Sequence, residues 1–198
     1  MSTLSNAAAA PRVPVLADAF ANSRVRTALM VLGGALFTAL LAQIVIPMTP
    51  VPMTGQTLAV MLVGSALGAK RGAAALTLYV MMGFLLPVYA DGGSGIETIW
   101  GATGGYLIGF IVAAYFVGWL AEHGSDRKFL TAFLSFVVGQ LIIFAFGLVV
   151  LKMSTGLNWA DTIHGGFTVF IWGGLVKAAV GGLLTPTAWK LQKHSFKS

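Results

Sequence analysis

The chain has 198 residues, of which 57% are hydrophobic and only 9% are charged. A soluble domain carries about 25% charged residues, so a chain this poor in charge cannot cover a water-facing surface. The chain contains no cysteine, which excludes disulfides and thiolate metal sites. The composition therefore predicts an integral membrane protein.

Long uncharged runs predict the membrane-spanning helices, because a helix needs about 20 apolar residues to cross the hydrocarbon core. The first run, residues 27–69, is long enough for two spans, and prolines at positions 47, 50 and 52 divide it. Further runs follow at residues 72–90, 98–121, 129–151 and 165–189, the last interrupted by one charge. We therefore expect an all-α integral membrane protein with six transmembrane helices.

The distribution of lysine and arginine predicts the orientation. With six spans, one side carries most of the basic residues: Arg24, Arg26, Lys70, Arg71, Arg127, Lys128 and Lys190. Basic residues mark the cytoplasmic side, so both termini are expected in the cytoplasm. The predicted domains are a cytoplasmic tail at 1–26, a six-helix substrate-binding domain at 27–190 and a cytoplasmic tail at 191–198. Anchoring next to anionic lipid explains the net charge of +6, and no nucleic acid partner is expected.

The loops on the opposite side have an unusual composition. The first, residues 47–55, is uncharged and rich in proline, which favours extended backbone. The second contains Gly92 and Gly93, which allow backbone amides to lie close to a ligand. The unusual composition of these loops favours a role in capturing a ligand on this side over a role as plain connections.

Lys177 is the one charge within an apolar run, with twelve uncharged residues on each side. A lysine at the centre of a membrane span costs roughly 2.5–3.5 kcal/mol on the insertion scale. None of the predicted spans contains a carboxylate. An anionic ligand is therefore the expected partner of Lys177.

Motifs for catalysis are missing from the sequence. The three histidines fit no H-E-x-x-H zinc motif, no serine lies in G-x-S-x-G, and there is no P-loop. We expect neither an enzyme nor a bound cofactor or metal, and any use of ATP would require partner subunits.

Five segments together resemble the BioY family, the biotin-specific S components of energy-coupling-factor transporters. They are, in chain order, AQIVIP at 42–47, PVPMTGQTL at 50–58, LGAKRG at 67–72, LPVYADGGSG at 86–95 and GATGGYLIGF at 101–110. The resemblance covers about residues 27–190, nearly the whole folded chain. Each segment alone is a weak signal, but their order and spacing are specific.

The resemblance implies a multi-pass protein of the bacterial cell membrane with an outward-facing biotin pocket. It also implies partners in addition to biotin and lipid, namely a membrane coupling subunit and two cytoplasmic ATPases where these exist. In this family the first helix contacts the coupling subunit through alanines four residues apart, which Ala35 and Ala39 match. Ordinary helix packing explains these two alanines equally well.

One segment departs from the family pattern. Near the last helix the family has Pro-Gly-Asp-x-x-Lys, whereas this chain has WGGLVK from Trp172 to Lys177. The lysine is kept, and Gly174 replaces the aspartate. The departure bears on the pocket chemistry at that position and on the affinity, and it leaves the resemblance elsewhere unchanged.

The resemblance therefore implies biotin uptake by capture on the outer side and delivery inward without chemical change. The candidate binding residues supply a cation, polar side chains, an aromatic ring or close backbone, and they are Gln56, Thr57, Gly92, Gly93, Thr103, Tyr106 and Lys177. The alternatives are a facilitator or secondary transporter for another small vitamin or organic anion and, from a different class, a membrane enzyme acting on lipid.

Overall fold

The computed structural model describes residues 12–195, with side chains placed through residue 192. Residues 1–11 and 196–198, which belong to the two predicted tails, lie outside the described residues. The described chain forms eight α-helices and one antiparallel pair of short strands. They are α1 (Arg24–Ala42), β1 (Val45–Ile46), β2 (Met53–Thr54), α2 (Gln56–Leu67), α3 (Ala69–Met82), α4 (Ile96–Trp100), α5 (Gly104–Ala121), α6 (Phe129–Thr155), α7 (Trp159–Gly166) and α8 (Ile171–Ser195).

Four helical segments are long and apolar enough to cross a membrane: α1, α5, α6 and the segment Trp159–Gln192, which includes most of α8. Helices suit this environment because they satisfy their backbone hydrogen bonds internally. The helices α2 and α3 have 12 and 14 residues, which at 1.5 Å per residue is shorter than the roughly 30 Å hydrocarbon core. The predicted helical membrane protein is confirmed, whereas the predicted count of six spans is not.

Helix α2 is short because the chain departs from helical backbone at both of its ends. The proline-rich segment forms the β1–β2 hairpin, in which Val45 pairs with Thr54 and Ile46 pairs with Met53. At the other end of α2, Gly68 has a φ of +83°, a conformation that favours glycine. The run at 27–69 therefore yields a 19-residue α1 and a 12-residue α2.

Helix α5 lies at the centre of the bundle, where it packs against α2, α3 and α6. Glycines allow the close approach of these helices. A Cβ atom at Gly109 would lie 2.9 Å from the Cα of Ile143 on α6, and a Cβ at Gly64 would lie 3.0 Å from the Cα of Ala114 on α5. Small residues at such positions let helix backbones approach closely in lipid.

The described part of the predicted N-terminal tail packs against the helix ends. Val15 is fully buried, and the N–H of Val13 donates to the carbonyl of Glu122 at 2.8 Å. At the other end of the chain, α8 continues to Ser195, past residue 190. Helical structure is therefore also present on both sides of the range 27–190.

Candidate ligand-binding site

A cavity of about 200 Å³ lies where the β1–β2 hairpin meets the first two turns of α2, α5 and α8. One water molecule needs roughly 10–15 Å³ of such space, so the cavity can hold a small organic molecule. Its lining is mostly apolar with a few polar groups, and consists of Val51, Pro52, Thr54, Gln56, Thr57, Tyr89, Ala90, Gly93, Thr98, Thr103, Tyr106, Leu107, Phe110, Gln140, Phe144, Phe170, Gly174 and Lys177.

Lys177 supplies the positive charge of this cavity. It is the seventh residue of α8, closer to a helix start than the sequence suggested, because α7 and a 3₁₀ turn at Thr168–Phe170 precede this helix. Its Nζ donates to the carbonyl of Thr54 at 2.5 Å and to Oγ1 of Thr57 at 3.1 Å. Lys177 forms no ion pair with a carboxylate of the described chain. Since an ammonium has three donors, one N–H remains for a ligand.

Gln56 is held in the cavity wall by hydrogen bonds at both ends of its amide. Nε2 donates to the hydroxyl of Tyr79 at 2.6 Å, and Oε1 accepts from the hydroxyl of Thr54 at 2.7 Å. Tyr79 in turn donates to the carbonyl of Val88 at 3.1 Å. The network fixes the first turn of α2 relative to β2 and to the segment that follows α3.

Aromatic side chains form another part of the wall. Tyr106 on α5 donates its hydroxyl to the carbonyl of Gly166 at 2.9 Å. Its ring meets the ring of Phe144 edge-on, with centroids 6.3 Å apart, and Phe144 lies 5.9 Å from Phe170. Edge-to-face and tilted aromatic pairs of this kind are stabilising and fix ring orientation. The wall can therefore pack against an apolar ring system.

The β1–β2 hairpin borders the cavity through Val51, Pro52 and Thr54. Its tip lies against α7, where a Cβ at Gly165 would come within 2.7 Å of the Pro50 ring. The hairpin is joined to the bundle on one side by the bond from Lys177 to the carbonyl of Thr54. The proline-rich segment predicted to lie on the capture side thus forms part of the pocket.

The glycine-rich loop after α3 contributes one of its two predicted residues. Gly93 lines the cavity. Gly92 does not, and its N–H donates to Oε1 of Gln43 at 3.1 Å. Gln43 also donates to the carbonyl of Tyr89 at 3.0 Å. The amide of Gly92 therefore holds the loop to the end of α1 instead of facing the cavity.

Six of the seven residues predicted for binding line one cavity: Gln56, Thr57, Gly93, Thr103, Tyr106 and Lys177. Sequence reasoning missed the other lining residues, among them Gln140, Phe144 and Phe170 from α6 and the turn before α8. Only Gln140 had a usable signal, because it is the single amide side chain in the uncharged run 129–151. Polar groups within membrane segments are commonly functional.

The two alanines proposed to contact a partner lie on the inner side of α1. Ala35 is fully buried in the core, and Ala39 is partly buried against it. The exposed side of α1 instead carries larger apolar residues, including Leu29, Leu36 and Leu40. The burial favours the packing alternative for Ala35.

Ion pairs lie at the other end of the bundle. Arg71 donates to Asp18, and Arg12 lies 3.1 Å from Glu122. Burial raises the pKa of Asp18, but the N–H of Val15 and the Arg71 guanidinium outweigh that effect and bring the pKa below its usual value. These contacts join residues 12–18 to the start of α3 and the end of α5.

A buried carboxylate also lies at this end. Asp126 is 1% exposed and accepts a hydrogen bond from Nε1 of Trp189 on α8. The guanidinium carbon of Arg127 lies 3.4 Å from the Trp189 ring centroid, a cation–π arrangement. Burial raises the pKa of Asp126, although Trp189 and Arg127 oppose that effect. The cluster fixes the end of α8 to the α5–α6 connection.

The fold and this cavity define a helical membrane protein with a small-molecule pocket between its helices. A sequence profile of the BioY family matches residues 12–194. The chain is 35% identical over 158 residues to biotin transporter BioY2 of Lactococcus lactis subsp. cremoris (strain MG1363), covering 79% of this chain and 86% of that protein. It is 39% identical over 161 residues to biotin transporter BioY of Thermotoga maritima, covering 79% of this chain and 94% of that protein.

A solved structure has the same fold. It is the crystal structure of an S-component for biotin from an ECF-type ABC transporter, with a TM-score of 0.78 and 21% identity over 86% of this chain and 94% of that chain. From the profile match and the two relatives, the chain belongs to the BioY family.

Proposed function

We propose that this protein captures biotin in the cavity at the hairpin end and delivers it across the membrane unchanged. The single observation that carries the proposal is Lys177, an ammonium at an otherwise largely apolar cavity with no carboxylate partner in the described chain. Biotin offers a carboxylate for this charge, a ureido ring for polar side chains and an apolar bicycle for the aromatic wall. The biotin transporters among its relatives support the assignment.

The proposed topology has six spans, formed by α1, α2, α3, α5, α6 and α8, with both termini in the cytoplasm. The proposed domain is residues 27–190, flanked by cytoplasmic tails at 1–26 and 191–198. Alternation of helix direction supports the scheme, because it puts Arg24, Lys70, Lys128 and Lys190 at one end of the bundle and the cavity at the other. The short α2 and α3 require a thinner bilayer locally or flanking loops at membrane depth.

The proposed partners are a membrane coupling subunit and two ATPases, because the chain contains no P-loop of its own. Contact with the coupling subunit through Ala35 and Ala39 stays a prediction. The exposed leucines of α1 are equally available to lipid. The proposed role is that of a carrier and not of an enzyme, so biotin should be recovered chemically unchanged after transport.

A titration of the purified chain with a panel of vitamins tests the function. Saturable binding of biotin, with no competition by other vitamins in excess, is the expected result. Tight binding of a different vitamin or organic anion and not of biotin would favour the alternative transporter. Chromatography of recovered radiolabelled biotin checks that the ligand is not modified.

A further inference from the structure

Gln140 is a buried amide on α6 that reaches across to α8. Its side chain is only 6% exposed, and its Nε2 donates to the carbonyl of Gly174 at 2.9 Å. Buried amides without partners are costly in an apolar environment. The nitrogen of this amide is therefore satisfied within the protein, and its oxygen is not among the fully buried side-chain atoms that lack a partner.

The oxygen of this amide has no such partner in the protein. Within residues 12–192, Nε2 has its bond to Gly174, and no side-chain or backbone donor forms a hydrogen bond to Oε1. Gln140 lines the ligand cavity. A carboxamide oxygen can accept two hydrogen bonds, so Oε1 can receive N–H groups of a bound molecule.

Oε1 of Gln140 lies directly beside Gly174. A Cβ atom built on Gly174 would overlap Oε1 of Gln140. The Gln140 amide therefore fills the space that any side chain at position 174 would enter. Gly174 and Lys177 are three residues apart on α8 and lie on the same helix face, and both line the cavity.

We infer that Gln140 is a specificity-determining residue that accepts a hydrogen bond from a neutral N–H of the ligand, in place of a side chain at position 174. The inference rests on the proposed function, in which these N–H groups are those of the biotin ureido ring. An amide acceptor adds no negative charge near Lys177, so its ammonium stays available for the ligand carboxylate.

Gln140→Met tests the ligand contact because it keeps the length of the side chain and removes the acceptor. Loss of one hydrogen bond to a neutral partner should weaken biotin binding by about tenfold. A biotin analogue methylated on both ureido nitrogens should bind the unaltered chain and Gln140→Met with equal affinity. An unchanged biotin affinity, or equal weakening for both ligands, would overturn the inference.

A test without biotin shows whether the side chains at positions 140 and 174 compete for the same space. Gly174→Asp should lower the melting temperature of the otherwise unaltered chain, and the loss should be smaller when Gln140→Ala is also present. Additive effects would show that the two side chains do not compete for space and would contradict the structural premise. If the unaltered chain showed no saturable biotin binding, the proposed function and the ligand named here would both fail. The melting temperatures of these variants would still show whether the side chains at positions 140 and 174 compete for space.

Discussion

Replacing Lys177 with methionine removes the positive charge of the cavity and keeps much of the side-chain length. A hydrogen bond to a charged group contributes about 1.5–3 kcal/mol, so biotin should bind roughly ten- to a hundredfold more weakly. The assay is the biotin dissociation constant of the purified Lys177→Met variant. Protein yield should not fall, because the substitution removes a charge from an apolar run.

Two comparisons separate loss of a ligand contact from loss of structure. Lys177 also donates to the carbonyl of Thr54 and the hydroxyl of Thr57, so its removal could loosen the hairpin. The amide of biotin, which lacks the carboxylate, should bind the variant and the unaltered chain equally. Lys152→Met is the matched control, because Lys152 lies near the end of α6 and outside the cavity lining. Unchanged biotin affinity in Lys177→Met, or equal weakening for both ligands, would refute the reasoning.

Three further predictions concern the hairpin, the orientation and the buried carboxylate. A spin label at Met48 should become less mobile when biotin binds, since we expect the 47–55 segment to close over the ligand; identical spectra would contradict a lid. An impermeant thiol reagent applied to intact cells should label Ser94→Cys and not Lys190→Cys, and the reverse pattern would invert the proposed topology. Trp189→Phe should destabilise the protein by about 1–3 kcal/mol in thermal unfolding, because Asp126 loses its donor while it stays buried; an unchanged melting temperature would show that the bond contributes little.

Another prediction concerns energy coupling. Bulky replacement of Ala39, which is partly buried, should uncouple transport and leave biotin binding intact if the first helix contacts a coupling subunit. Bulky replacement of Ala35, which is fully buried, should lower stability through overpacking whether or not partners exist. Equal loss of biotin binding in both variants would assign the two alanines to internal packing.

Most of the predicted binding residues line the cavity because they are concentrated in a few recognisable segments. Gln56 and Thr57 follow the proline-rich segment, and Thr103 and Tyr106 belong to the glycine-rich start of α5. Lys177 could be found by physical reasoning alone, since a charge within an apolar run needs a partner. Gly92 could not be separated from Gly93, because which of two adjacent amides faces inward depends on the bond from Gln43.

The rest of the cavity wall depends on contacts between residues that are distant in sequence. Gln140 lies 34 residues from Gly174, and a single amide in an apolar run does not say which helix it faces. The count of six spans is not confirmed, because α2 and α3 are shorter than the hydrocarbon core. Hydropathy shows that residues 27–69 are uncharged but not how far each helix extends, so the 12-residue length of α2 was not predicted.

Protection of a single cysteine in the cavity tests most directly whether biotin occupies this site. The chain contains no cysteine, so Thr103→Cys in the cavity wall and Ser154→Cys near the end of α6 each provide one thiol. Saturating biotin should slow maleimide labelling of Thr103→Cys and leave labelling of Ser154→Cys unchanged. Equal labelling rates of Thr103→Cys with and without biotin, in protein shown to bind biotin, would contradict the assignment of this cavity as the binding site.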